Sequence, residues 1–338
     1  EKGFFAKEHL KTLRQADSFL QGHPDMKHTP GVDMSSGSLG QGTSVSCGMA
    51  LGAKLDGKNF RVYTILGDGE IQEGQVWEAA MFASAKGLDN LVAVVDNNGL
   101  QIDGKISEVN SPYPIAEKLS ALTGIRKIYI DNDANAAALG EAMAGAAKGA
   151  AKSVCVTLGT GVGSGIVLDG KIYSGSNYAG GELGHTVIVA DGEPCTCGRR
   201  GCWETYSSAT ALMNQTRAAM EQNPDSLMWK LVDGDITKVD GRIPFEAMKQ
   251  GDAAGKAVVD RYCEYLACGL LNVINVFQPE YLIIGGGPSA QGDNLLNPIK
   301  AEMNKELFGG SSKTQVVMAK LGNRAGVIGA AMLGKTRE

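Results

Sequence analysis

One histidine and three cysteines stand close enough along the chain to hold a metal. In "GGELGHTVIVADGEPCTCGRRGCWE", His185 is followed at +10, +12 and +17 by Cys195, Cys197 and Cys202. One imidazole and three thiolates are a ligand set for tetrahedral Zn²⁺. The competing reading is a disulfide with one spare thiol. A reducing compartment opposes it, and Gly198 and Gly201 look like the tight turns of a ligand knuckle. Structural zinc contributes roughly 10 to 16 kcal/mol in small fingers, comparable with a whole domain's stability of about 5 to 15 kcal/mol. The other four cysteines, Cys47, Cys155, Cys263 and Cys268, sit among apolar or small residues, where a free thiol packs as a small hydrophobe.

Glu182 and Glu204 flank this cluster. Either acid alone reads as a solvated surface group, but both lie within three residues of an expected ligand. If zinc holds one nitrogen of His185, the other can donate to a ligand hydroxyl while the carboxylates accept from neighbouring ones, an arrangement suited to a sugar. In "YIDNDANAAALGE" a strand ends and an alanine-rich helix begins, so Asn132, Asp133 or Asn135 is expected to be the N-cap. A cap needs one such residue, and four of the five positions 131 to 135 are polar. An aspartate at a strand tip beside a sugar pocket is suited to take the proton from a primary hydroxyl that attacks a γ-phosphate. "LGTGVGSG", residues 158 to 165, is a glycine-rich turn whose N–H groups form an anion nest or only a hairpin. Far upstream, Asp68 and Asn98 end two apolar runs. They are either turn residues or, with a backbone carbonyl, oxygen ligands for Mg²⁺.

These groups need strands and helices to position them. "RVYTILGDGE" and "LVAVVDNNG" predict strands, with a helix in "WEAAMFASAKGL" between them. A second series follows: a strand at "KIYI", a helix at "NAAALGEAMAGAAKGA", a hairpin at "SVCVTLGTGVGSGIVLDGKIY", a long helix through Val259, Leu266, Leu270 and Phe277, a strand at "YLIIGGG" and a helix at "AGVIGAAML". The fold class is therefore α/β. A net charge of −5 and the lack of a Lys/Arg run argue against nucleic acid. No apolar run reaches the roughly 18 residues of a membrane helix and the start has no signal-peptide stretch, so no membrane partner and a cytoplasmic location are expected. The opening "EKGFFAKEHLK" begins on Glu and reads as mid-helix, as if cut from a larger ancestral domain.

"TLRQADSFLQGHPD", "TPGVDMSSGSLGQG", "GDGE" with "QEGQVWEAA", and "VVDNNGLQIDG" resemble the amino-terminal segment of transketolases, over residues 1 to about 121. The resemblance implies a thiamine-diphosphate-binding α/β segment. It places Asp68, Asn98 and the carbonyl of Leu100 on the Mg²⁺ that bridges the diphosphate, and His23 near a sugar-phosphate channel. The upstream Lys-Gly-His stretch of that family and the separate domain whose Glu activates the aminopyrimidine ring have no counterpart in these residues.

From about residue 115 onward, "DNDANAAALGE", "LGTGVGSGIV", "GGELGH", "PCTCGRRGCWE" and "LIIGGG" resemble the ROK family of sugar kinases and sugar-responsive regulators, glucokinases most closely. The resemblance implies an actin-like, ribonuclease H-like ATPase fold with a small-molecule sugar as substrate, ATP with Mg²⁺ as phosphoryl donor, and dimers or tetramers. It implies Asp133 as catalytic base and Asn132, Glu182, His185 and Glu204 on the hexose. It also places Gly159, Thr160 and Gly161 by the phosphates and Gly286 and Gly287 by the adenosine. Nothing in residues 1 to 114 resembles the Asp-x-Gly-Gly-Thr hairpin that opens such kinases. The two resemblances overlap near residues 115 to 121. The expectation is a chimera: 1–121 a partial transketolase segment, 122–338 a ROK domain without its amino-terminal lobe. The alternatives are a transketolase half and a non-catalytic sugar-binding module; the missing helix-turn-helix and acidic balance oppose a repressor.

Overall fold

A computed structural model describes residues 3–32, 34–102, 104–125, 127–310 and 312–336. Asp33 and Asp103, which belong to two of the transketolase-like motifs, lie outside the described residues. The chain divides into two compact units, residues 1–128 and 129–338.

In the first unit a six-residue 3-10 turn, Lys7–Thr12, stands where the opening reads as helix interior. The regular part comprises α1 (Gln41–Leu55), β1 (Val62–Gly67), α2 (Gly74–Ala85), β2 (Leu91–Asp96), the two-residue hairpin strands β3 (Leu100–Gln101) and β4 (Gly104–Lys105), α3 (Ile106–Val109) and α4 (Ile115–Thr123). β1 and β2 are parallel, in register from Val62↔Leu91 to Gly67↔Asp96. A parallel pair needs a crossover, which α2 supplies. Cys47 and Ala50 of α1 pack with Ala79 of α2 and Leu88. Gly124, at φ 68°, ends α4 as a left-handed cap. The Thr123 carbonyl of that helix accepts a hydrogen bond from Ser84 Oγ, so α4 folds with this unit.

The second unit is built from α5 (Asp133–Ala144), β5 (Lys152–Leu158), β6 (Val162–Leu168), β7 (Lys171–Ile172), α6 (Glu204–Ser207), α7 (Ala209–Gln222), α8 (Leu227–Leu231), α9 (Ile243–Lys249), α10 (Ala253–Phe277), β8 (Tyr281–Gly286), α11 (Asp293–Glu306), β9 (Gln315–Met318) and α12 (Ala325–Thr336). Its sheet runs in the order β7-β6-β5-β8-β9. β5 pairs antiparallel with β6 and parallel with β8. The spacing of apolar residues along α10 puts Val259, Tyr262, Leu266 and Leu270 into the main core with Val154, Val156, Ile284 and Trp203. On the other face, Ala138, Ala142, Cys155 and Ile283 form a second core cluster. α5 and α12 meet with almost no side chain between them. A Cβ on Gly329 would fall 1.6 Å from the Ala136 carbonyl oxygen, and one on Gly140 would fall 2.2 Å from that of Ala325.

The strand expected at "KIYI" is not formed, and residues 127–130 belong to no strand. The alternation is that of a strand, but a strand exists only where a neighbour takes its N–H and C=O groups. The described strands of this unit pair only with one another, and Ile130 is left 70% exposed.

One acid inside the second unit is structural. Glu141 is fully buried and accepts from the N–H groups of Ala146 (2.7 Å), Lys320 (3.2 Å) and Leu321 (2.7 Å). It thus ties the end of α5 to the turn after β9. Glu141→Ala removes the shared acceptor of three part-buried N–H groups; with an unmade buried hydrogen bond costing about 1–3 kcal/mol and water able to reach these donors, a loss of about 1–3 kcal/mol is expected in urea denaturation followed by circular dichroism.

Candidate active site

The expected site residues converge on one short stretch, the turn from β5 into β6. Gly159 N–H donates to the Gly161 carbonyl at 2.9 Å, closing the turn on itself. Val162 N–H then donates to Glu204 Oε2 at 3.0 Å. The Val162 carbonyl lies 2.1 Å from where a Cβ on Gly184 would stand, so only glycine lets the segment before His185 cross here. The next residue, Gly163, faces the start of α5: a Cβ there would meet that of Ala134 at 3.1 Å. Asp133, Glu182, His185, Glu204 and the glycine turn are therefore brought to one end of the sheet.

Asn132 is the N-cap of α5. Its side chain accepts from Ala134 N–H at 2.8 Å and Asn135 N–H at 3.4 Å, which decides among the three candidates. Asp133, the first helical residue, is exposed, and its Oδ1 accepts from Ala134 N–H at 2.8 Å. Asn135 is buried and donates to Asp131 Oδ1 at 2.8 Å. Glu182 is exposed. The loop that carries it is pinned to β6 by Ser164, whose Oγ donates to the Gly181 carbonyl and accepts from Leu183 N–H at 3.1 Å. Ser164 was not expected as a site-forming residue; its place inside "LGTGVGSG" is the one hint. Gly159, Thr160 and Gly161 leave β5, and Gly286 and Gly287 leave β8. These strands are neighbours with Leu158 paired to Gly286, so both glycine pairs lie at the same carboxyl edge. Gly286 has φ 87°, and a Cβ on it would lie 2.1 Å from the Leu158 carbonyl oxygen.

The ligating atoms of His185, Cys195, Cys197 and Cys202 all lie within 4.8 Å of one another. All seven cysteines are free thiols, so the disulfide alternative is not formed. Cys197 Sγ and Cys202 Sγ are 3.7 Å apart, as are Cys195 Sγ and His185 Nδ1. A tetrahedron of Zn–S bonds near 2.3 Å has edges of about 3.8 Å, so the set fits zinc. The knuckle is closed by Cys195 N–H to the Arg199 carbonyl (2.8 Å) and Gly198 N–H to the Cys195 carbonyl (3.0 Å). Gly198 and Gly201 have φ of 88° and 76°, and at Gly201 a Cβ would strike the Val189 carbonyl oxygen at 1.7 Å.

Burial, with a hydrogen bond to Cys197, pushes the Cys202 thiol up to about 12, whereas the Arg199 N–H holds Cys197 below the ordinary thiol range. A metal must displace the Cys202 proton, so protons and zinc compete. Affinity rises with pH below that value and falls on acidification, by about tenfold per pH unit for each proton displaced. Zinc titration against a chromophoric chelator at pH 6 and pH 8 is expected to show the weaker binding at pH 6.

Comparison with known proteins now gives this geometry a family. Residues 90–337, most of the chain, match the ROK family. The chain belongs to the ROK family. The glucokinase of Thermotoga maritima is 38% identical over 225 residues, covering 66% of this chain and 70% of that enzyme. A ROK family glucokinase from Streptomyces griseus, solved in complex with glucose and AMPPNP, is similar with a TM-score of 0.60 and 31% identity, over 76% of this chain and 86% of that one. The second unit of the ROK chain accordingly has the sheet of an actin-like ATPase.

The front of the chain has another parentage. Residues 14–111 match the dehydrogenase E1 component family. The 6-deoxy-6-sulfo-D-fructose transketolase subunit of Clostridium sp. (strain MSTE9) is 49% identical over 120 residues, 36% of this chain and 44% of that subunit. The chain spans less than half of that relative. The chain is a chimera of the two kinds; the family matches overlap at residues 90 to 111, where β2 pairs with β1 inside the first unit.

Two of the Mg²⁺ donors expected there, Asp68 and Asn98, are drawn together and already accept hydrogen bonds from the surrounding loops. Asp68 is fully buried; it accepts from Gly69 N–H (3.1 Å), Gly99 N–H (2.8 Å) and Tyr113 Oη (2.9 Å). Asn98 Oδ1 accepts from Leu100 N–H at 2.9 Å, and its amide donates to Asp96. His23 lies against Gly37 in the loops ahead of α1. These oxygens accept from their own loops and keep lone pairs free, and the Leu100 carbonyl lies against Gly69, next to Asp68; no thiamine-diphosphate step is assigned to them. Among the described residues no helix is long and apolar enough to cross a membrane.

Proposed function

We propose that the ROK part of this chain binds a hexose and transfers to it the γ-phosphoryl group of ATP. What carries the reading is the convergence on Val162 and Gly163: the glycine turn, Glu204 and the His185 loop meet at Val162, and the start of α5 meets Gly163. His185, Cys195, Cys197 and Cys202 would hold a zinc ion; with His185 Nδ1 turned toward Cys195, Nε2 would be the nitrogen available to a sugar hydroxyl. Glu182 and the amide of Asn132 orient further hydroxyls. Asp133 accepts the proton of the attacking hydroxyl. The N–H groups of Thr160 and Gly161 face the transferred phosphates, and Gly286 and Gly287 flank the adenosine. Glu204 contributes Oε1, since its other oxygen is held by Val162.

The parts are taken to join at residues 121 and 122. A second reading, sugar binding without turnover, is favoured by the first unit: residues 3–128 carry a two-stranded parallel sheet and a small hairpin rather than a second five-stranded lobe. An assay of ADP release with glucose, mannose and N-acetylglucosamine, run beside calorimetric titration of each sugar, separates the readings. Sugar-dependent ADP supports the kinase, binding alone supports the second reading, and neither rejects both.

A further inference from the structure

We propose that Glu204 is a positioning residue that couples occupancy of the zinc site to the shape of the glycine turn at 159–161. The proposal rests on the zinc reading above. Glu204 stands two residues after Cys202 and opens α6. Its Oε1 lies 3.7 Å from Cys195 Sγ, and its Oε2 accepts from Val162 N–H at 3.0 Å. The turn is shaped around that same oxygen: a Cβ on Gly161 would lie 2.0 Å from it. At the far end of the segment Ala209 N–H donates to the Gly159 carbonyl at 2.9 Å. The stretch from Cys202 to Ala209 therefore carries a candidate metal ligand at one end and grips both sides of the turn.

The stretch is stiff enough to pass a displacement on. Trp203 is fully buried; its backbone N–H donates to the Thr186 carbonyl at 2.8 Å and its indole N–H to the Tyr265 carbonyl at 3.0 Å. A Cβ on Gly269 would fall 2.0 Å from its ring. Close-packed interiors transmit such shifts instead of absorbing them. When zinc gathers Cys195 and Cys202, Glu204 is set between the metal loop and Val162, and the turn is fixed; when the loop opens, Glu204 and the Val162 amide part.

Hydrogen–deuterium exchange on the full chain tests this, with zinc content measured first. In the wild type, chelation is expected to speed exchange of peptide 158–164 at least about tenfold, while Tyr281–Gly286 stays protected. In Glu204→Ala the peptide should exchange fast although zinc remains near one per chain, and Glu204→Gln, whose amide oxygen still accepts from Val162, should keep the protection and its dependence on zinc. If chelation frees residues 185–202 but leaves 158–164 unchanged, or if zinc-loaded Glu204→Ala is protected like the wild type, the coupling is refuted. Should chelation unfold the whole unit, the zinc-loaded Glu204→Ala comparison decides. A chain that takes up no zinc overturns both the metal reading and the coupling; one that takes it up while the turn stays indifferent overturns the coupling alone.

Discussion

Cys202→Ser will release the metal and disorder the loop between Thr186 and Trp203. A serine hydroxyl does not ionise in this pH range and is a poor zinc ligand, so the site loses one of three thiolates. Besides the ligands, the loop is held by backbone hydrogen bonds such as Ile188 N–H and Gly201 N–H to the Gly201 and Glu193 carbonyls, with Ile188 packed against the core. Its ladder consists of the single bridges Val187↔Cys202 and Pro194↔Arg200, and most of its residues from Thr186 to Arg200 are exposed or half-buried. Structural zinc supplies roughly 10 to 16 kcal/mol in small fingers, whereas a cysteine-to-serine change at an ordinary buried site costs a few kcal/mol at most. Metal analysis should fall from about one zinc per chain to well below a tenth. Limited proteolysis should then cut first within residues 186–201. Retained zinc, with the loop still resistant, would show that Cys202 is not needed as a ligand; a folded wild-type chain with no zinc would show that the cluster is not a metal centre.

Asp133→Asn will lower any phosphoryl transfer by at least ~10²-fold while leaving the fold and the zinc in place. The substitution is close to isosteric, and an amide oxygen can still accept from Ala134 N–H as the carboxylate does. The helix keeps its cap because the cap is Asn132. What disappears is the group able to take a proton. The expected signature is a fall in turnover with sugar affinity within a few-fold of wild type, read from steady-state rates and calorimetry on the same preparation. An equal loss in Asn132→Ala with Asp133→Asn unaffected would move the catalytic role elsewhere.

Much of the site could be read from residue types and spacing because its chemistry is local. The candidate metal ligands fall within eighteen residues, His185 to Cys202, and the glycines between them are required by turns that the structure shows at Gly198 and Gly201. β1, β2, β5 and β8 are short apolar runs closed by glycine-rich turns, and α10 carries a clear helical period. What could not be read depends on residues far apart meeting in space. The hydrogen bond from Val162 to Glu204 spans 42 positions, and the burial of Glu141 follows from a turn 180 positions away. Capping was ambiguous because Asn132, Asp133 and Asn135 are each competent, and only the backbone direction chooses between them. Residues 127–130 have strand composition but pair with no strand among the described residues, a fact about neighbours that composition does not carry.

On the proposed reading, zinc held by His185, Cys195, Cys197 and Cys202 shapes the sugar pocket of the second unit. Calorimetric titration of glucose into the full chain, zinc-loaded and zinc-stripped, tests it most directly, with His185→Ala measured alongside. Saturable binding with zinc, lost on stripping and lost in His185→Ala, is the predicted result. Equal binding by a folded, zinc-free chain would contradict it.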